Sequence, residues 1–165
     1  RKIMKHIGFN NSAFNIEFYW DKDTDDIKLL EINPRISQSH AELFRKVDGV
    51  YNHKIILDAA LGYPPEIPSN QGKWKKAGKF FIRHFRNGIV KKVPGKKNIE
   101  KIKEKYPDVV LDLVAEEGQE LEDLPYQDSY SYKLGFVYLG GSSDEEMQRK
   151  FEDVKRILDY QIEDF

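Results

Sequence analysis

Phe14-Asn15-Ile16-Glu17-Phe18, a polar turn, and then Leu29-Leu30-Glu31-Ile32-Asn33-Pro34-Arg35 is the stretch on which the reading of this chain turns. Phe14, Ile16 and Phe18 alternate with Asn15, Glu17 and Tyr19, the period-two signature of a strand, and Ile27–Ile32 is a second apolar-rich run. Between them Trp20-Asp21-Lys22-Asp23-Thr24-Asp25-Asp26 reads as a turn. A hairpin symmetric about Thr24 sets Glu17 opposite Glu31, Asn15 opposite Asn33, and Tyr19 opposite Leu29. Like charges directly opposite on a sheet are destabilising, so this pairing invites either a bridging cation or a slip in the register.

Working outward, Ile3–Ile7 reads as the end of a helix stopped at Gly8. The chain opens at Arg1-Lys2-Ile3-Met4, without an initiator methionine and already in patterned sequence, so a longer parent chain is expected. Downstream, Pro34 ends the second strand, Arg35–His40 is a polar turn, and Ala41–Val47 and Asn52–Leu61 are short helices broken by Gly49 and Gly62. The Pro- and Gly-rich stretch from Gly62 to Lys76 is the best internal boundary. Beyond it, Lys79–Phe85 and Ile89–Val93 flank Arg86-Asn87-Gly88, an Asn-Gly hairpin signal closed by Pro94-Gly95. Asn98 is placed to cap a short helix. Val109–Ala115 and Tyr132–Leu139 are further strands, separated by the acidic connection Glu116–Asp128. The last helix starts at Ser143, with Glu146 at capping-box spacing, and carries Met147, Phe151, Val154, Leu158 and Ile162 as a core stripe. The fold class is therefore α+β.

Composition limits the chemistry. The 165 residues carry 27 basic and 28 acidic side chains, a formal charge of -1, which argues against a polyanion-binding arm. The basic patches at Lys73–Lys79, Lys91-Lys92 and Lys96-Lys97 read most simply as solvated faces, and no nucleic-acid partner is expected. No cysteine is present, which excludes thiolate zinc sites and cysteine nucleophiles and is compatible with a cytoplasmic setting. No apolar run approaches the roughly 20 residues of a membrane span. His6, His53 and His84 are too dispersed for a zinc site, and His40 suits a loop role as well as an anion contact. Ser37 and Ser39 lack a partnering base, so serine hydrolysis is a poor fit. Gly140-Gly141 is no Walker A loop. Glu17, Glu31 and Asn33 instead offer hard oxygen ligands of the kind magnesium takes, and Asn15 stands beside them as a further ligand or a local hydrogen-bonding group.

The hairpin with Glu-Ile-Asn-Pro-Arg, preceded by Gly8-Phe9 and followed by Ile36-Ser37-Gln38-Ser39-His40, Gly49 and the Ile55–Gly62 helix, resembles the metal-binding end of the ATP-grasp ligase domain. Within that superfamily it resembles the biotin carboxylase and carbamoyl phosphate synthase branch. More loosely, Gly88–Gly95, Glu117-Gly118 and Asp128–Gly140 resemble the small domain that follows ATP-grasp in carboxylase-like ligases. The resemblance implies the C-terminal portion of an ATP-grasp domain over 1–62, a linker over 63–76, and a small mixed β/α domain with antiparallel strands over 77–165. It further implies that Glu17, Glu31 and Asn33 bind Mg2+, with Mn2+ able to substitute. Glu17, Glu31, Asn33 and Arg35 would face ATP, and Arg35 would act catalytically on phosphate or an acyl phosphate. The expected parent is a cytoplasmic ATP-dependent carboxylate ligase, a homo-oligomer being compatible, that takes ATP and a small carboxylate and has further ATP-grasp regions upstream. The fragment alone should be inactive. A noncatalytic binding or structural domain on the same scaffold is the alternative.

Overall fold

Alternation over 14–18 and 27–32 gives an antiparallel hairpin of β1 (Asn15–Asp21) and β2 (Asp26–Asn33). The computed structural model describes residues 2–125 and 127–165, and the chain divides into two units, one ending at Gly72 and the other spanning Lys73–Phe165. Every strand pairing among the described residues is antiparallel, in a mixed α+β fold.

In the first unit, α1 (Lys2–His6) ends as expected, with Gly8 at φ +72°. The hairpin register departs from the symmetric one. Asn15 faces Asn33 and Glu17 faces Glu31, but a bulge follows Glu17, so that Phe18 faces Leu29 and Tyr19 faces Lys28. The turn explains the shift. Asp21 Oδ1 accepts from the backbone N–H groups of Asp23 and Thr24, and Asp25 takes φ +56°, which centres the turn half a residue before Thr24. A short 3-10 turn over Gln38–His40 leads into α2 (Ala41–Asp48), and α3 (Asn52–Ala60) follows. The Gly72 N–H donates to the Val47 carbonyl, and the Asn70 N–H to Asp48, which ties the stretch before Gly72 back to α2.

The second unit contains β3 (Lys76–His84), β4 (Gly88–Lys92), α4 (Lys96–Lys105), β5 (Val110–Leu113), β6 (Gln127–Asp128), β7 (Ser131–Gly141), α5 (Asp144–Leu158) and β8 (Gln161–Asp164). The long β7 lies between β3 and β5 and also takes β6, while β4 pairs with β8. The Arg86-Asn87-Gly88 signal therefore does not mark a hairpin. A type I′ turn needs positive φ at both central residues, and neither Asn87 nor Gly88 has it. Gly88 instead answers to close packing, because a Cβ there would lie 2.4 Å from the Glu163 carbonyl oxygen on β8. Gly140 has a similar explanation, since its missing Cβ leaves room for the Trp74 indole.

The core packs α5 against β7 and β3. Val90, Ile102, Leu121, Val137, Val154 and Leu158 are fully buried, and the Phe80 and Phe151 rings stack with centroids 4.9 Å apart. Met147, Phe151, Val154 and Leu158 form the expected stripe, but Ile162 belongs to β8 opposite Val90, because Asp159 turns left-handed at φ +54° and ends the helix. Asn98 holds the start of α4 from its third position, its Oδ1 accepting the Gly95 N–H while its Nδ2 donates to the Ile157 carbonyl. At the start of α5, Ser143 Oγ accepts the Glu146 N–H at 3.2 Å, and Glu146 accepts from the Ser142 N–H. Ser143→Ala is expected to lower the unfolding free energy by about 1 kcal/mol, read from urea denaturation.

Asp128 lies between Lys133, whose Nζ is 2.8 Å away, and Arg83, which also donates to the buried Ser131 hydroxyl. The hydrogen bond from Lys133 and then that from Arg83 hold the Asp128 carboxyl below the usual carboxylate range. A depressed carboxylate pKa contributes stability that is complete above the unfolded value and is lost as pH falls through the folded one. Asp128→Asn should therefore flatten the acid side of the stability profile, measured as melting temperature between pH 5 and pH 2.

Candidate metal and nucleotide site

Glu31 and Asn33 are two apart on β2 and share a face, and the register brings Glu17 of β1 directly opposite Glu31. The Asn33 Nδ2 group donates to Glu17 Oε1 at 3.3 Å and to Glu31 Oε1 at 2.5 Å. Both carboxylates are exposed, and the bulge immediately after Glu17 lets this pairing persist while the rest of the hairpin shifts by one residue. Asn15 is paired with Asn33 at the same end of the ladder. An ionised carboxylate only accepts hydrogen bonds, so the two acids fix the Asn33 amide with its nitrogen toward them and its oxygen away.

Arg35 stands apart from this group. Its backbone N–H closes a tight turn onto the Asn33 carbonyl at 2.8 Å, and its exposed guanidinium donates to the carbonyl of Ile36 at 3.3 Å. The loop that follows is fastened by Asn52, a residue that sequence reasoning placed only at a helix start. Its Nδ2 donates to the Ser37 carbonyl at 2.9 Å, while its Oδ1 is buried without a hydrogen-bond partner among the described residues. Ser37 and Ser39 bond to each other through their hydroxyls at 3.0 Å. A cavity of about 320 Å³ lies here, with Phe14, Asn15, Ser37, His40 and Asn52 among its walls. Nothing in the sequence separated Asn52 from an ordinary first-turn asparagine.

The oxygens present suit a small hard cation, but they are few. Among the described residues no group of three or more His, Cys, Asp or Glu side chains is arranged to hold a metal ion. Two carboxylates and one amide fit Mg2+ only if other oxygens, such as water and nucleotide phosphates, complete its shell. Ligation by Asn33 also requires a half-turn of its amide. His84 is paired with Asp164 at 2.6 Å and is no part of this group.

Residues 1–66 match the family described as carbamoyl-phosphate synthase L chain, ATP binding domain. The carbamoyl phosphate synthase large chain of Halomonas eurihalina is 35% identical over 68 residues, which is 41% of this chain and 6% of that one. Among solved structures, L-amino acid ligase from Bacillus licheniformis superposes with a TM-score of 0.63 at 19% identity, over 98% of this chain and 38% of that one. The phosphoribosylaminoimidazole carboxylase ATPase subunit from Aquifex aeolicus gives 0.56 at 20% identity, over 96% of this chain and 41% of that one. The chain thus spans a small part of the curated relative and about two fifths of these two structures. At these identities the structural likeness establishes the fold. Residues 1–66 are thus similar to the ATP binding domain of the carbamoyl-phosphate synthase L chain.

Proposed function

We propose that the hairpin is the magnesium- and phosphate-facing part of an ATP-dependent carboxylate ligase whose remaining ATP-grasp regions lie outside these 165 residues, the chain being inactive alone. The observation that carries this reading is the convergence of Glu17, Glu31 and Asn33 at one end of the β1–β2 ladder. On this reading residues 1–62 belong to the ATP-grasp domain, 63–76 form a linker, and 77–165 form a carboxylase-like small domain. The large apolar side chains of Phe18, Tyr19, Trp20, Ile27, Leu29 and Leu30, all half exposed or more, support a hairpin built to be covered by further protein. The name of the L-amino acid ligase supports the joining of a carboxylate to an amine.

Glu17 and Glu31 would hold Mg2+, or Mn2+ in its place, and Asn33 would join them once its amide is turned. When bound, the cation screens phosphate charge and stabilises what develops during transfer. Arg35 swings from the Ile36 carbonyl to present its forked donors to phosphate oxygens. The substrate carboxylate attacks the γ-phosphorus of ATP and releases ADP. The amine nitrogen then attacks the acyl carbon, phosphate leaves, and the amine proton is lost to solvent. The setting is cytoplasmic, and a homo-oligomer is compatible with it. Among the described residues no helix is long and apolar enough to cross a membrane. The test is ADP formation by the full-length protein with mixtures of carboxylates and amines, with hydroxylamine to trap an acyl phosphate. Magnesium-dependent ADP and a hydroxamate are expected. ADP formation in no mixture would favour a noncatalytic scaffold.

A further inference from the structure

The sheet of the second unit has a face that the hairpin chemistry does not use. Lys79, Phe81 and Arg83 of β3, Lys133, Phe136 and Tyr138 of β7, and Asp112 of β5 come together there, opposite the face packed on α5. Three cations meet two carboxylates. Arg83 and Lys133 share Asp128, and Lys79 has the more distant Asp112 as its attractive charge, with Lys133 repelling it. Among the described residues the Lys79 ammonium makes no hydrogen bond or ion pair. It lies 3.8 Å from the centroid of Phe136, with Phe81 and Tyr138 at 5.4 and 5.5 Å. Among the described residues one positive charge is left over, and it lies on a bed of aromatic rings.

We propose that this face binds a small-molecule carboxylate carried on a flat apolar group, with Lys79 as its ion-pair donor. The single uncompensated charge matches a monoanion rather than a phosphate dianion. Phe81, 37% exposed, and the largely exposed Tyr130, whose ring also neighbours Arg83, supply surface for a flat body. The low-polarity bed raises the strength of the ion pair above that of an ordinary surface lysine. The inference goes beyond the hairpin reading and uses none of its residues.

Phenylacetate titrated into the 15N-labelled chain is the test. Saturable shifts are expected at the amides of Lys79, Phe81, Phe136 and Tyr138. Lys79→Gln should raise the dissociation constant about tenfold, roughly the loss of one charge-assisted hydrogen bond, with the amide spectrum otherwise preserved, and Lys79→Arg should recover most of it. Neutral phenylacetamide and inorganic phosphate should bind more weakly than phenylacetate. The proposal is overturned if phenylacetamide binds equally well, if the shifts fall instead on α4, or if Lys79→Gln leaves them unchanged. Glu17→Gln should have no effect on this titration, so failure here is separable from failure of the hairpin reading.

Discussion

Glu17→Gln or Glu31→Gln in the full-length protein is expected to lower magnesium-dependent ADP formation by about 100-fold or more, with the folded structure unchanged. Glutamine keeps the shape of the side chain and removes the negative charge a hard cation requires. Altering even an indirect partner of a metal commonly costs 10- to 100-fold, and a direct ligand should cost at least as much. Folding should survive because both carboxylates are exposed and face each other as like charges, a pairing that opposes the hairpin. Glutamine can still accept from the Asn33 amide. Steady-state ADP release at saturating magnesium, beside a thermal melt, separates loss of chemistry from loss of structure. Turnover equal to wild type in both variants would remove the metal assignment.

Leu158→Ala should produce the largest stability change, a loss of about 2–5 kcal/mol in urea unfolding of the second unit. Leu158 is fully buried at the end of α5, within the cluster that includes Val90, Ile102, Leu121 and Val154. Truncation removes its apolar contacts and leaves a cavity that well-packed neighbours fill only in part. Against a typical domain stability of about 5–15 kcal/mol, that is a large fraction. Leu30→Ala makes the contrast, since Leu30 is 69% exposed on β2 and should change stability by only about 0.5 kcal/mol or less.

These two residues also mark what the sequence makes legible. The α5 stripe follows from helical period alone, and the Glu17–Glu31 and Asn15–Asn33 pairs follow from strand period and a turn placed to within half a residue. The bulge did not follow, because it depends on how Asp21 and Asp25 shape the turn against the repulsion of the facing carboxylates. The Asn87-Gly88 pair misled for a related reason. Local turn chemistry yields to strand partners far along the chain, and β3 and β4 each found one, β7 and β8. β8 was concealed because Ile162 continues the spacing of the α5 stripe after the helix has ended at Asp159. At the candidate site, residue types and pairing were visible in advance. The direction of the Asn33 amide, the tether of Arg35 to Ile36 and the link from Asn52 to Ser37 are matters of rotamer and loop packing, which no spacing encodes.

Anomalous diffraction from crystals of the full-length protein grown with ADP and Mn2+ tests the metal assignment most directly. The expected result is a manganese peak at coordination distance from oxygens of both Glu17 and Glu31, with the Asn33 amide turned so that its oxygen faces the ion. Manganese bound at other residues, with the Asn33 nitrogen still between the two carboxylates, would contradict it.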